Sequence, residues 1–342
     1  MERRFVDLTG GYGVDTYFLS EQFEHTDYVE QNAELCRIAE HNFNLPTLFC
    51  STDGHWQSDR AKLFTLHRGK EICVHHSSAE DFLSSLSGEV GRGYDLIFAD
   101  PARRDSYGGK VFRLEDCTPN IVELLPTLLE HLTQNGRILL KLSPMLDITQ
   151  AVNQLSAFSL QWSVYVVAVK NEVKEVLLLS HQPSEACHQT ITCIDLVEPE
   201  KAFVFTREEE QECPAGIGDW LLVNGDAALN GEFLYEPNAA ILKAGAYKLV
   251  AQRFGLQKLD VNTHLYASDQ LIENFPGRVW RIKEPTQTLP EGKANVLTRN
   301  YPLTPEQLKK KLHIKDGGDA FIIGCRVDGK PTLFEAQKVE KK

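Results

Sequence analysis

The feature that most constrains this chain is its opening stretch. Arg3-Arg4-Phe5-Val6-Asp7-Leu8-Thr9-Gly10-Gly11-Tyr12-Gly13-Val14-Asp15 reads as a short apolar strand closed by a carboxylate, then a glycine-rich turn, then the start of a helix carrying Tyr17, Phe18 and Leu19. Glycine lets backbone adopt positive φ and approach another molecule closely, and the helix start behind the turn offers unpaired N–H groups. A nucleotide-like cofactor is the natural occupant of such a turn. Thr26-Asp27-Tyr28-Val29-Glu30 then reads as a second strand ending in an acid. Its position, a little over twenty residues after Asp7, is where doubly wound folds place the carboxylate that holds ribose hydroxyls. Glu30 is the candidate for that role.

The dinucleotide fingerprint G-x-G-x-x-G is not completed, because no third glycine follows Gly11 and Gly13. Further along, residues 31–42 have helical spacing of Leu35, Ile38 and Ala39. Glu71 to His76 reads as a third strand running into Ser77-Ser78-Ala79-Glu80-Asp81. That polar turn supports a helix cap by Ser78, and it also supports a ligand-facing position for Ala79 and Glu80.

Tyr94 to Ala99 is largely apolar, as a central parallel strand must be, and ends at Asp100-Pro101-Ala102-Arg103-Arg104-Asp105. Carboxyl ends of such strands face the ligand, so this charged cluster is a candidate acceptor site. A helix is expected over about 119–133, a fifth strand over Arg137 to Leu142, and a hairpin of Ser163 to Val169 with Val176 to Leu179. Asp100, Lys141 and Glu175 fall in places similar to the last three members of the Lys-Asp-Lys-Glu set of ribose 2′-O-methyltransferases, and that resemblance implies a shared catalytic site. A lysine whose pKa is lowered by its surroundings could accept a proton there, with the carboxylates positioning it. A purely structural pairing of Lys141 with Asp100 or Asp147 is the competing reading. No cysteine stands just after the fifth strand, where Lys141 to Asp147 lie, which disfavours covalent thiol chemistry.

Beyond about residue 183 the pattern changes to strand pairs with packing helices, as in an α+β sandwich. The acidic run Glu208-Glu209-Glu210 reads as a surface loop, and a helix is expected to begin near Tyr235 and continue to Phe254. Two strands, a helix capped by Thr304 and a hairpin turned at Asp328-Gly329 complete the chain. Charge divides unevenly. The 342 residues carry a net −12, yet residues 266–342 hold 14 Lys and Arg against 10 Asp and Glu, leaving −16 for residues 1–265. Lys309, Lys310, Lys311 and Lys315 are the candidate nucleic-acid contacts in that basic tail, with a merely solvated helix face as the alternative. Eight scattered cysteines with no C-x-x-C pair suit a reducing, cytoplasmic setting with free thiols, and no metal site is expected. No apolar run is long enough to cross a membrane.

Five motifs in order resemble one family: L-T-G-G-x-G-V-D-T from Leu8, D-P-A-R-R-D from Asp100, K-L-S-P-M-L-D from Lys141, K-N-E-x-K-E from Lys170 and E-P-N-A-A-I-L-K-A-G from Glu236. They resemble the bacterial class I methyltransferases dependent on S-adenosylmethionine (SAM) that carry ferredoxin-like and THUMP-like modules at the C-terminus. The resemblance implies a Rossmann-like α/β catalytic domain over 1–182, a ferredoxin-like α+β domain over 183–265 and a THUMP-like domain over 266–342. It also implies SAM bound by Asp7, Thr9, Gly10, Gly11, Gly13, Glu30, Ala79, Glu80, Asp100 and Pro101, with Asp100, Arg103, Lys141 and Glu175 as catalytic candidates. Thr9 stands where the family's first glycine usually sits, and Ala102 and Arg103 replace the proline and aromatic of the common D/N-P-P-Y. The chain starts directly on a strand, where the resemblance implies a helical segment upstream. The implied partner is structured RNA, tRNA or rRNA, and no DNA is expected. Competing expectations are a protein or small-molecule acceptor, and an RNA-binding protein on a methyltransferase fold without turnover.

Overall fold

The computed structural model describes residues 3–43, 61–65, 70–86, 93–102, 113–156, 158, 160–181, 189–216, 221–223, 226–228, 232–283 and 292–340. The chain divides into two compact units, residues 1–165 with 175–189, and residues 166–174 with 190–342. No helix among the described residues is long and apolar enough to cross a membrane.

In the first unit the elements alternate: β1 (Arg4–Asp7), α1 (Val14–Ser20), β2 (His25–Glu30), α2 (Ala33–Phe43), β3 (Ala61–Thr65), β4 (Glu71–His76), α3 (Ala79–Ser85), β5 (Tyr94–Ala99), α4 (Ile121–Glu130), β6 (Leu132–Leu142), α5 (Ile148–Ser156), β7 (Gln161–Val169) and β8 (Glu172–His181). The strand order is β7-β8-β6-β5-β1-β2-β4-β3. Strands β1, β2, β4, β5 and β6 run parallel, while β3 and β8 pair antiparallel at β4 and β6. The chain winds outward from β1 to β2 and β4, then returns to β5 on the other side. A crevice therefore opens at the carboxyl ends of β1 and β5, the switch point where ligands bind in such sheets.

Burial explains the strands. Phe5, Phe23 and Phe98 form one apolar cluster, and Tyr28, Cys36, Ala39, Phe43, Ile72 and Val74 form another beneath α2. Each fully buried large side chain contributes about 1.5–3 kcal/mol of transfer free energy. Asn120 and Ser78 accept backbone N–H groups and start α4 and α3. The expected fifth strand is longer than its apolar core suggests: β6 begins at Leu132, inside the span expected to be helical, because Tyr94 pairs with Leu132 across a bulge.

The second unit contains the tip of the β7–β8 hairpin, β9 (Thr190–Asp195), β10 (Phe203–Thr206), α6 (Arg207–Glu212), the short ribbon β11 (Leu221–Val223) and β12 (Asp226–Ala228), β13 (Phe233–Pro237), α7 (Ala239–Ala244), α8 (Tyr247–Phe254), β14 (Gln257–Asp260), β15 (Thr263–Ser268), β16 (Gly277–Ile282), β17 (Asn295–Arg299), α9 (Pro305–Leu312), β18 (Ala320–Val327) and β19 (Lys330–Lys338). Seven of these make one sheet in the order β14-β15-β13-β16-β19-β18-β17.

Two expectations are corrected here. The run Glu208-Glu209-Glu210 is helical, because Thr206 and Glu209 close a capping box and Glu210 accepts the N–H groups of Tyr247, Lys248 and Leu249 at the start of α8. The helix expected from Tyr235 is instead strand β13 followed by two helices. Its residues are buried between β15 and β16, Asn238 caps α7, and Gly245 at φ 83° ends it. The hairpin tip meets this motif: Asp195 accepts the N–H groups of Lys170 and Asn171, and Asn171 Oδ1 accepts that of Ala239 at 2.8 Å. Buried Glu236 joins Arg278 and Arg299.

Candidate functional site

Asp7 is the hub of the glycine loop. Fully buried at the end of β1, its carboxylate accepts the backbone N–H of Thr9 at 2.9 Å and the hydroxyl of Thr16, on α1, at 2.6 Å. Burial pushes its pKa up to about 7, against the lowering effect of those hydrogen bonds. Thr9, in the place of a glycine, has a visible use. Its Oγ1 accepts the N–H of Asp100 at 2.7 Å, joining the loop to the end of β5.

The glycines serve different ends. A Cβ on Gly10 would lie 2.1 Å from the Tyr28 ring, so the absence of a side chain there is a packing requirement. Gly11 and Gly13 have φ of 55° and 79°, and Gly13 starts α1 from the left-handed region. The Tyr28 hydroxyl donates to Gly11 O at 2.6 Å. Glu30 closes the loop from the other side, its Oε2 accepting Gly11 N–H at 3.0 Å and its Oε1 accepting Asn32 N–H at 2.7 Å. A carboxylate held in this way keeps lone pairs for further donors.

Ser77 N–H donates to Glu30 O at 3.1 Å and brings the end of β4 beside that of β2. Ala79, buried, and Glu80, exposed, thereby open α3 next to Glu30. A glycine loop at positive φ, a carboxylate at the end of β2 and a capped helix start beside it fit a ribosyl cofactor carrying a purine.

At the end of β6, Lys141 Nζ lies 2.6 Å from Asp15 Oδ2 and 3.2 Å from Asp100 Oδ2. Glu175, on β8, is close enough for Lys141, Asp15 and Asp100 to influence its ionisation. The structure thus brings together Asp100, Lys141 and Glu175, and adds Asp15. Asp15 sits on the first turn of α1, inside the glycine motif but after its glycines, where a sequence reading treats an acid as ordinary helix-start chemistry.

The lowered pKa expected for Lys141 is not found. Burial works against its charge, but the hydrogen bond to Asp15 and the charge of Asp100 outweigh it and raise the pKa. Lys141 is a cation, paired with Asp100 as the structural reading held but not with Asp147, which instead caps the start of α5 through Gln150 N–H. The group moved toward proton acceptance is Glu175, whose pKa burial raises even though the Lys141 charge opposes the shift. Pro101 is buried beside Asp100, and Ala102 pairs with Thr118 through two backbone bonds of 2.7 and 3.0 Å. Arg103 lies outside the described residues.

In the second unit, Lys309, Lys310 and Lys311 occupy the last turn of α9, where cations offset the helix dipole. Lys309 pairs with Asp316 at 2.6 Å, while Lys310, Lys311 and Lys315 are exposed. A cleft of about 810 Å³ in the same unit is lined by Lys170, Arg278 and Lys338 against Asp195, Asp319 and Glu340, and offers no single-sign field to a polyanion.

Comparison with known proteins places these features in context. A family model described as a ferredoxin-like domain matches residues 233–276, and one described as THUMP domain-like matches residues 271–338. The crystal structure of a protein assigned as a methyltransferase from Porphyromonas gingivalis W83 superposes with a TM-score of 0.78 at 31% identity, covering 99% of this chain and 78% of that one. Two curated relatives from strains of Mycobacterium tuberculosis, each described as an uncharacterised S-adenosylmethionine-dependent methyltransferase, are 21% identical over 246 residues. That match covers 68% of this chain and 60% of the length of each relative.

Proposed function

The chain belongs to the methyltransferase family of the Porphyromonas gingivalis protein, with ferredoxin-like and THUMP-like domains at its C-terminal end, and from this premise we propose that it transfers a methyl group from SAM to structured RNA, tRNA or rRNA. The observation that carries the catalytic part is the grouping of Lys141 with Asp15, Asp100 and Glu175 at the strand ends beside the glycine loop. The bound cofactor would supply an electrophilic methyl group. Asp7, Thr9, Gly10, Gly11 and Gly13 shape the loop that holds it, Glu30 takes its ribose hydroxyls, Ala79 and Glu80 flank its base, and Pro101 supports the acceptor edge.

The chain's own work is to orient the acceptor and take up its proton. Lys141, held as a cation, fixes Asp100 and Asp15 and offers a positive charge to an acceptor oxygen or nitrogen. Glu175 receives the proton, which its raised pKa favours. Holding acceptor and methyl in line can supply much of the rate, since effective molarities of about 10⁵ M or more are reached in well-oriented systems. The RNA part rests on the THUMP-like match and on the exposed Lys310, Lys311 and Lys315.

The deciding experiment incubates the purified protein and tritiated-methyl SAM with total cellular RNA and, separately, with protein extract. Label in RNA supports the reading. Label in protein alone moves the acceptor to another class. No label in either, with S-adenosylhomocysteine still bound, leaves a binding protein without turnover.

A further inference from the structure

On the face of the first sheet covered by α3, toward the strand starts, three potential ligands from two strands converge. Asp27 and Cys73 are register partners on β2 and β4, and His75 stands two residues further along β4, on the same side as Cys73. One ligand atom from each, a carboxylate oxygen, Sγ and an imidazole nitrogen, lie within 4.8 Å of one another. His75 Nε2 is 2.8 Å from Asp27 Oδ1.

The remaining surroundings act on the other carboxylate oxygen. Tyr94 OH donates to Asp27 Oδ2 at 2.8 Å, Arg4 donates to it at 3.2 Å, and His25 Nε2 stands 3.5 Å away. Oδ2 is therefore anchored from behind, and Oδ1 is left facing Cys73 and His75. Outer partners that fix a ligating carboxylate in this way are a regular part of metal sites. Phe82 packs on the His75 ring at 4.8 Å between centroids and limits its rotation.

We propose that Asp27 Oδ1, Cys73 Sγ and His75 Nε2 bind a divalent transition metal of the zinc class, with water in the fourth position. One thiolate, one imidazole and one carboxylate form a donor set suited to zinc, and tetrahedral bonds of about 2.0–2.3 Å place ligand atoms about 3.3–3.6 Å apart. Reaching that value opens the 2.8 Å separation of His75 Nε2 from Asp27 Oδ1 and draws in the longer separations, which extend to 4.8 Å at most, through side-chain rotation. Binding releases the thiol proton from Cys73 and displaces the proton shared between His75 and Asp27. Because a metal-bound thiolate and imidazole must give up their protons, uptake releases protons and strengthens with rising pH. The ion would join β2 to β4 beneath the strand ends that carry Glu30 and lead into Ala79.

The test uses the full chain, stripped with a chelator and titrated with Co²⁺ and then Zn²⁺. One equivalent of Co²⁺ should bind with a near-ultraviolet thiolate charge-transfer band, and Zn²⁺ should bleach it. Cys73→Ser should abolish the band, and His75→Ala should weaken zinc binding at least about tenfold. Far-UV circular dichroism checks that each variant is folded, and His75→Gln replaces His75→Ala if that one is not. Failure of the stripped chain to bind Co²⁺ or Zn²⁺ overturns the proposal. So does a charge-transfer band that survives Cys73→Ser, or zinc affinity unchanged by the His75 variant. None of these readouts depends on methyl transfer.

Discussion

Nζ of Lys141 lies 2.6 Å from Oδ2 of Asp15, so the first turn of the helix after the glycine loop is ion-paired to the end of β6. Lys141→Met would remove the ammonium that Asp15 and Asp100 share and that lowers the pKa of Glu175. Methyl transfer is expected to fall about 100-fold or more, in the range seen when one oriented electrostatic group is lost. Affinity for S-adenosylhomocysteine should change by a few-fold at most. Single-turnover transfer and calorimetric titration separate the two effects.

Glu175 is raised above the ordinary glutamate range by burial, with Lys141 opposing the shift. As the proposed proton acceptor it would work only when ionised. The acid limb of the kcat/KM profile should therefore lie at higher pH than an unperturbed carboxylate would give. In Glu175→Gln that limb should disappear together with most of the activity, and a limb left at the same pH would assign it to another group.

Asp7, with a pKa near 7 in the folded chain against 3.8 for the free group, keeps its proton after the unfolded chain has released it. Its contribution is thus greatest below pH 4 and is lost as pH rises toward 7, by an amount on the order of 4 kcal/mol. Asp7→Asn removes this titration. The stability difference, wild type minus variant, should fall steadily between pH 4 and 7 in urea unfolding, and a flat difference would contradict the shift.

Gly10→Ala forces a methyl group into the Tyr28 ring. Overpacking of this kind costs about 1–3 kcal/mol. The cofactor loop should also move, since Tyr28 holds Gly11 O, so denaturant midpoint and S-adenosylhomocysteine affinity should both drop.

Lys310, Lys311 and Lys315 are free of the ion pair that occupies Lys309. Replacing the three by glutamate should weaken RNA binding and lower the salt dependence of the affinity by about one for each phosphate no longer engaged, with SAM binding unchanged. Lys309→Gln should have a smaller effect. Filter binding over a salt series measures both.

What is legible in the sequence follows from what lies close along the chain. Asp7, Glu30 and Asp100 end apolar strands, and such ends are readable from pattern alone. Lys141 and Glu175 become recognisable once the hairpin beyond the fifth strand is placed. Asp15 does not stand out, because its partner lies 126 residues away and nothing local marks the meeting. The sign of the Lys141 shift depends on that distant neighbour. Asp27, Cys73 and His75 are equally hidden: only the register of β2 against β4 brings them together. The acidic run before Cys213 reads as a loop from its charge, while the capping box that makes it a helix rests on Thr206 just before it.

The single hydroxyl of Thr9 touches two neighbourhoods, accepting from the Asp100 backbone and reaching the Asp7 carboxylate at 3.4 Å. The glycine loop and the end of β5, the proposed donor and recipient sides of the crevice, therefore share one mechanical rivet. A change of side chain at this position should be felt as cross-talk, with occupancy of one half altering affinity in the other, before it is felt as loss of either.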